Sequence, residues 1–248
     1  DAGIPKNTFS AEIGKLKQIY AIAIEEGRLA TDSTNPFLIE RLKGFKPAKA
    51  KASYSPQHAE ILAEEAAANR RKDILINVGV SYYTGMRSSE LYECKLGETD
   101  GILYFQIKTG KTESSKRNIP LHAHLIEWLN EDHDLPNNGS GFNWKSPSKS
   151  EFNKAFNRFS DTYLLKKHSI SEEDGTFSHH SFRHGMSTRL FEAGYSELEV
   201  AHVVGHSVKT VGRTESAKTY IKKAALSKLQ ERINRIERIS LPAIKDAT

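Results

Sequence analysis

The chain has 248 residues, a formal net charge of +5 and a single cysteine, Cys94. With 38% hydrophobic and 27% charged residues it has the makings of one large domain, or a domain plus part of another, and is too apolar to be disordered. One cysteine excludes an internal disulfide framework and a zinc site built on cysteines alone, and it suits a reducing, cytosolic setting. No run reaches the ~18–20 apolar residues that span a bilayer, and no signal peptide is visible, although the chain opens at Asp1 rather than Met.

Residues 9–29 place Phe9, Ile13, Leu16, Tyr20 and Ile24 on one helical stripe closed by Gly27. Asn35-Pro36-Phe37 breaks the pattern. A stretch of lysine, proline and small residues without periodicity follows, which reads as a linker. The expected division is therefore the end of a preceding helical domain at 1–40, a linker at 41–54, a main domain at 55–240 and a tail at 241–248. Within the main domain Ser55-Pro56 opens a helix over 57–69, and a second helix runs over 71–83. Ile102–Ile107 is a β-rich run, and Asn118–Leu121 reads as its returning hairpin strand. Helical patterns resume at 121–131, 150–167, 181–193 and 196–204, and a long amphipathic helix is expected from about 217 to 239. The fold class is mainly α with a small antiparallel β-sheet.

The positive charge is concentrated. Between Lys209 and Arg238 there are nine Lys or Arg against three Glu, an excess of six that exceeds the net charge of the whole chain. Such a block suits a polyanion such as nucleic acid, but a solvated helix face explains it as well.

Four segments carry polar groups that a structural reading leaves idle. In Thr84-Gly85-Met86-Arg87-Ser88-Ser89-Glu90-Leu91 a glycine ends one helix, Ser88 or Ser89 can cap the next, and Arg87 stands at the junction. An arginine beside free helix N–H groups suits a phosphate, although pairing with Glu90 on the surface is the simpler reading. In His179-His180-Ser181-Phe182-Arg183-His184, His180 and Arg183 share a helical face and can reach one anion. His180 and His184 also resemble half of a zinc site, without the acidic residue or third ligand that would complete it. His179 and His184 are more simply packing or capping residues. Val203-Val204-Gly205-His206 ends an apolar helix at a glycine and leaves His206 at the break, ordinarily a structural pattern. Tyr220 lies in the basic block with cations on both sides.

Taken in order, Arg87 in T-G-M-R-S-S-E-L, Lys108 in the hairpin K-T-G-K, H-x-x-R, G-H and then Tyr220 resemble the tyrosine recombinase (phage integrase) family over about residues 54–240. The resemblance implies the catalytic domain of a DNA breaking-rejoining enzyme, with residues 1–40 similar to the end of that family's core-binding domain. It makes Arg87 and Arg183 the arginines on the scissile phosphate and Tyr220 the nucleophile. His180 and His206 match the two family histidines, Glu90 the supporting acid and Lys108 the hairpin lysine, with Lys111 as its alternative.

A site-specific recombinase acting on double-stranded DNA through a 3′-phosphotyrosine is then expected, with no metal and no other cofactor. The resemblance further implies a bacterial or phage-encoded, cytoplasmic protein that assembles on DNA as a homotetramer. Leu226, Leu229, Ile233 and Ile236 form a stripe on the last helix that can fold back in cis or dock on a neighbour, and the family pattern favours the neighbour. A type IB topoisomerase would share the chemistry. A non-catalytic DNA-binding protein or a histidine-based metallohydrolase would leave the arginine, lysine and tyrosine unexplained.

Overall fold

A computed structural model describes residues 6–38, 51–108, 116–131, 134–170, 176–205 and 226–243. The chain divides into two compact units, Asp1–Ala50 and Lys51–Thr248. In the first, helix α1 (Lys6–Glu25) is stopped where Gly27 takes a left-handed φ of 68°. The chain then returns along the helix. The Tyr20 hydroxyl donates to the Thr34 carbonyl at 3.1 Å, and the Tyr20 and Phe37 rings meet edge-on. Phe9, Ile13, Tyr20 and Ile24 are half-buried, whereas Leu16 of the same stripe is exposed.

The second unit is built around a helix that is buried almost all round. Helix α2 (Pro56–Ala68) starts as its sequence demands, with the Ser55 hydroxyl accepting from the His58 N–H and Pro56 in the first turn. It packs on α3 (Lys72–Thr84), in which every residue from Ile74 to Thr84 is buried. A helix apolar on all sides belongs in the middle of a domain. The short α4 (Ser88–Glu93) follows, then a sheet of three antiparallel strands in the order β1 (Lys95–Thr99), β2 (Ile102–Ile107), β3 (Arg117–Pro120). Strand β1 adds to the expected pair. Its turn, Asp100-Gly101, has positive φ at both residues, the hairpin geometry that an Asp-Gly pair favours.

Four further helices follow: α5 (Ala123–Glu131), α6 (Lys149–Ser160), α7 (His180–Glu192) and α8 (Glu197–Val204). The helix expected over 150–167 changes character at its middle, where Asp161–Lys167 forms a π-helical turn. Its buried apolar side chains, Phe152, Phe156 and Phe159, are spaced by four and three, and the next apolar one, Leu164, comes five later. A wider turn is what keeps Leu164 on the buried side.

Two expected boundaries are corrected. Lys51–Tyr54, read as linker, is part of the folded unit: the Ala52 N–H donates to the Thr176 carbonyl, and Tyr54 is buried against Phe177 and Phe182. The long C-terminal helix ends early, at Ile233 of α9 (Leu226–Ile233), and the part expected over 217–225 lies outside the described residues. Asn234 leaves the helix because its side-chain oxygen accepts the Ala123 N–H at the start of α5. The chain then crosses the unit without regular structure. Tyr82 donates to the Glu237 carbonyl, Ile239 N–H to the Tyr83 hydroxyl, and Trp128 Nε1 to the Pro242 carbonyl. The apolar stripe is thereby satisfied in cis, with Leu229, Ile233 and Ile236 all buried. Among the described residues no helix is long and apolar enough to cross a membrane.

Candidate active site

The turn between α3 and α4 sets the first arginine. Gly85 caps α3 with φ of 61°, and a Cβ there would lie 2.8 Å from Met186 on α7, so both backbone geometry and space call for glycine. Met86 is buried, which leaves Arg87 at the N-cap of α4 with its side chain 38% exposed. Ser88 is the first helical residue, so neither serine caps the helix. Glu90 does this instead: one carboxylate oxygen accepts the Arg87 backbone N–H at 2.9 Å, and the other accepts from the Arg87 guanidinium at 2.6 Å.

Glu90 is buried, and two more guanidiniums reach it. Arg117, at the start of β3, contacts both of its oxygens at 3.2 and 3.1 Å. Arg183, one turn into α7, lies 3.7 Å from it and donates to the Gly85 carbonyl at 3.3 Å. Burial pushes the Glu90 carboxyl up, but Arg117, the Arg87 N–H and Arg183 outweigh it and hold the group below the usual carboxylate range. The cost appears on the cations. Burial first, then repulsion from Arg87 and Arg117, brings the Arg183 guanidinium down to about 9. Three guanidiniums around one carboxylate form a concentrated positive site, and an anion placed among them relieves their repulsion.

His180 lies in the first turn of α7, one helical turn before Arg183, with its ring 4.8 Å from that of His184. Burial, and then the neighbouring His184, Lys51, Arg183 and Arg87, lower its imidazole to about 4. At neutral pH it is uncharged and can accept a proton. Its neighbour His179 has a different part. It is fully buried and bonded through Nε2 to Asn77 at 3.0 Å and Ser81 at 3.1 Å, the packing role expected of it. Lys108 is exposed at the end of β2, directly after Ile107, which pairs in register with Arg117. The hairpin lysine and the buried arginine thus stem from the same end of the sheet. Among the described residues no group of three His, Cys, Asp or Glu side chains could hold a metal.

Of the six expected site residues, the structure places Arg87 and Arg183 on one carboxylate, His180 on the helix that carries Arg183, and Lys108 at the neighbouring strand end. His206 and Tyr220 lie outside the described residues, as do Lys111 and most of the basic block. The sequence reading missed Arg117. A signal was available: Arg117 and Ile119 face the same way in the returning strand, and a charge at an inward position demands a partner.

The phage integrase family profile matches residues 55–225, and the chain belongs to that family, the tyrosine recombinases. Membership makes it an enzyme of DNA integration and recombination, and a DNA-binding protein. Its fold resembles three solved structures. A lambda integrase dimer bound to a COC′ core site is 20% identical over 82% of this chain and 74% of that one, with a TM-score of 0.58. The Tn1549 transposon integrase in complex with transposon right end DNA is 19% identical over 88% and 79%, also at 0.58. A lambda integrase tetramer bound to a Holliday junction is 19% identical over 82% of this chain and 59% of that one, at 0.55. At these identities the likeness is one of fold. No curated protein sequence matches the chain.

Proposed function

We propose that the chain cleaves and rejoins double-stranded DNA at specific sites through a 3′-phosphotyrosine intermediate. The observation that carries this reading is the gathering of Arg87, Arg117 and Arg183 around Glu90 at the start of α7, in a chain of the phage integrase family. Arg87, the exposed member, meets the scissile phosphate first, and Arg183, covered here, engages as the site opens. Their guanidiniums bind the non-bridging oxygens and stabilise the charge that grows on them in the transition state.

The Tyr220 hydroxyl attacks phosphorus in line. An ordinary phenol has a pKa of about 10, so it needs a base, and neutral His180 takes its proton. The bond from phosphorus to the 5′-oxygen breaks, Lys108 supplies the proton to that oxygen, and His206 donates a hydrogen bond to the phosphate. Attack by a 5′-hydroxyl of another duplex on the phosphotyrosine reverses the chemistry and exchanges strands. The phosphotyrosyl bond conserves the energy of the broken linkage, so the reaction calls for no metal and no nucleotide.

Residues 1–40 are read as the end of a core-binding domain that helps to hold the duplex. Assembly as a homotetramer rests on the likeness to the lambda tetramer on its junction. It does not rest on α9: the apolar stripe of that helix is buried in its own unit, and an exchange between protomers would first have to free it. The setting proposed is the cytoplasm of a bacterial cell.

The test is covalent trapping with the full chain, supercoiled DNA carrying the sequences that flank its gene, and a denaturing quench. A protein–DNA adduct that survives chelator, maps to Tyr220 and is lost in Tyr220→Phe supports the reading. Binding without an adduct would make this a non-catalytic DNA-binding protein, and cleavage abolished by chelator would reassign the histidines to a metal.

A further inference from the structure

Arg117 is buried at the first position of β3, where its guanidinium joins two parts of the site. Two of its nitrogens span both oxygens of Glu90, at 3.2 and 3.1 Å, and Nε donates to the carbonyl of Val203 at 2.9 Å. Val203 is in the last turn of α8, two residues before the Gly205 cap that precedes His206 in sequence. The packing at that cap is close. A Cβ on Gly205 would fall 2.5 Å from one terminal nitrogen of Arg117 and 2.7 Å from its central carbon, and the φ of 69° already favours glycine. Glu90 in turn holds Arg87 by both its backbone N–H and its guanidinium.

We infer that Arg117 is a positioning residue for the strand-cleavage reaction, an inference that rests on the proposed phosphoryl transfer. By occupying both oxygens of Glu90 it fixes the plane and direction of that carboxylate. The carboxylate therefore meets Arg87 in one orientation, one oxygen on the backbone N–H and the other on the guanidinium, and cannot turn to draw Arg87 and Arg183 further from an arriving phosphate. By holding the Val203 carbonyl with a third nitrogen it keeps the end of α8 at a set distance from the same carboxylate. A planar fork performs both tasks at once, and an ammonium group cannot, because its donors do not lie in one plane at that spacing. Arg117 itself touches no reacting atom in this scheme and acts through Glu90.

The discriminating variant is Arg117→Lys, which keeps the charge and most of the volume and removes the fork. Its rate of adduct formation on saturating supercoiled DNA should fall roughly 10- to 100-fold, the scale of a sub-ångström to one-ångström misplacement of catalytic groups. Affinity for the same DNA, with Tyr220→Phe added to block the chemistry, should stay within about threefold of the Tyr220→Phe parent, since a charge-preserving change leaves the electrostatic attraction in place. In a Glu90→Gln background the further loss from Arg117→Lys should shrink to about threefold or less, because residues that act through one group are not additive.

Circular dichroism and thermal melting of each variant set the folded fraction by which rates are divided. An Arg117→Lys variant that forms the adduct at the parental rate overturns the inference. So does a full loss that persists undiminished in the Glu90→Gln background, since Arg117 would then not act through that carboxylate. If the unsubstituted chain forms no adduct at Tyr220, the proposed function fails and this inference fails with it.

Discussion

Helix α7 carries two arginines six residues apart, Arg183 buried and Arg189 half-buried, that are handled in opposite ways. Arg189 is seated among groups that accept its charge without an ionic partner of equal burial. Its guanidinium lies over the Tyr82 ring at 4.0 Å and donates to the Tyr82 carbonyl at 2.8 Å and the Tyr54 carbonyl at 3.3 Å. Burial lowers it, and the neighbouring Tyr82, Tyr83, Glu192 and Glu237 all push the other way. Arg183 also suffers burial, but its largest charged neighbours, Arg87 and Arg117, make matters worse. One arginine is placed where its neighbours offset part of the cost of burying a cation, and the other where crowded cations add to that cost. Crowding of that kind destabilises the empty protein and is retained where an anion must be bound, which is why perturbed groups mark working sites.

The largest expected effect breaks the comparison at Arg183. Arg183→Met should cut adduct formation about 10²- to 10³-fold, some 3–4 kcal/mol of transition-state stabilisation, as removal of one donor to a developing anionic charge does elsewhere. Removing one of three neighbouring guanidiniums relieves repulsion, so the melting temperature should fall by less than it does for Arg189→Met. Adduct yield against time and a thermal melt on the same samples decide this. An Arg183→Met protein that cleaves at the normal rate would take Arg183 out of the reaction.

Arg189→Met is the mirror experiment. It strands two carbonyls and removes a stacked cation, at a cost of about 2–4 kcal/mol in stability. Cleavage per folded molecule should remain within about threefold of normal. Urea denaturation and single-turnover trapping separate the two readouts, and a selective loss of cleavage at full stability would erase the distinction drawn between the arginines.

The difference between the two arginines was only half legible in the sequence. The order of Arg87, Lys108, H-x-x-R, G-H and Tyr220 was readable because each residue type stands beside a local signal: a helix-capping glycine, a strand end, a helical i, i+3 spacing. Nothing local distinguishes Arg183 from Arg189, because what surrounds them comes from α3, α4, β3 and the segment before α2. Arg117 was missed for the same reason: its partner Glu90 is 27 positions away and becomes visible only once β3 is in register. The helices of the main unit were read to within two or three residues because caps such as Ser55 and Gly205 are local chemistry. The last helix was over-extended because its end is decided by Asn234 reaching across to Ala123, a tertiary contact that no periodicity encodes. Strand β1 was missed although its Asp-Gly turn is a local signal.

A third prediction concerns pH and the histidine beside the site. His179 is fully buried and lowered to about 3, chiefly by burial and then by His180. A base whose folded pKa lies below its unfolded value of about 6.5 binds fewer protons when folded. Its contribution is therefore complete above pH 6.5 and is lost as pH falls toward 3. Between pH 6.5 and 5 this amounts to about 2 kcal/mol. In His179→Gln that part of the acid sensitivity should disappear, which urea denaturation at the two pH values measures. An unchanged pH dependence would show that His179 takes up its proton alike in the folded and the unfolded chain, and the Asn77–Ser81 environment would need another account.

The smallest effect is the most direct probe of crowding. An anion that enters the cluster binds the folded chain alone, so it stabilises by RT ln(1 + [L]/Kd), about 1 kcal/mol at five times the dissociation constant. Sulfate should raise the melting temperature by a few degrees through this route. It also strengthens folding generally by exclusion from the protein surface, and that part is common to every variant. The informative quantity is the difference between proteins. Arg189→Met should keep the full sulfate increment, since its pocket of carbonyls and an aromatic ring offers an anion nothing. Arg183→Met should keep only the general part. Equal increments in both variants would mean that the three guanidiniums around Glu90 already hold all the negative charge they require. The opposite treatment of the two arginines would then be an accident of packing and not the trace of a phosphate.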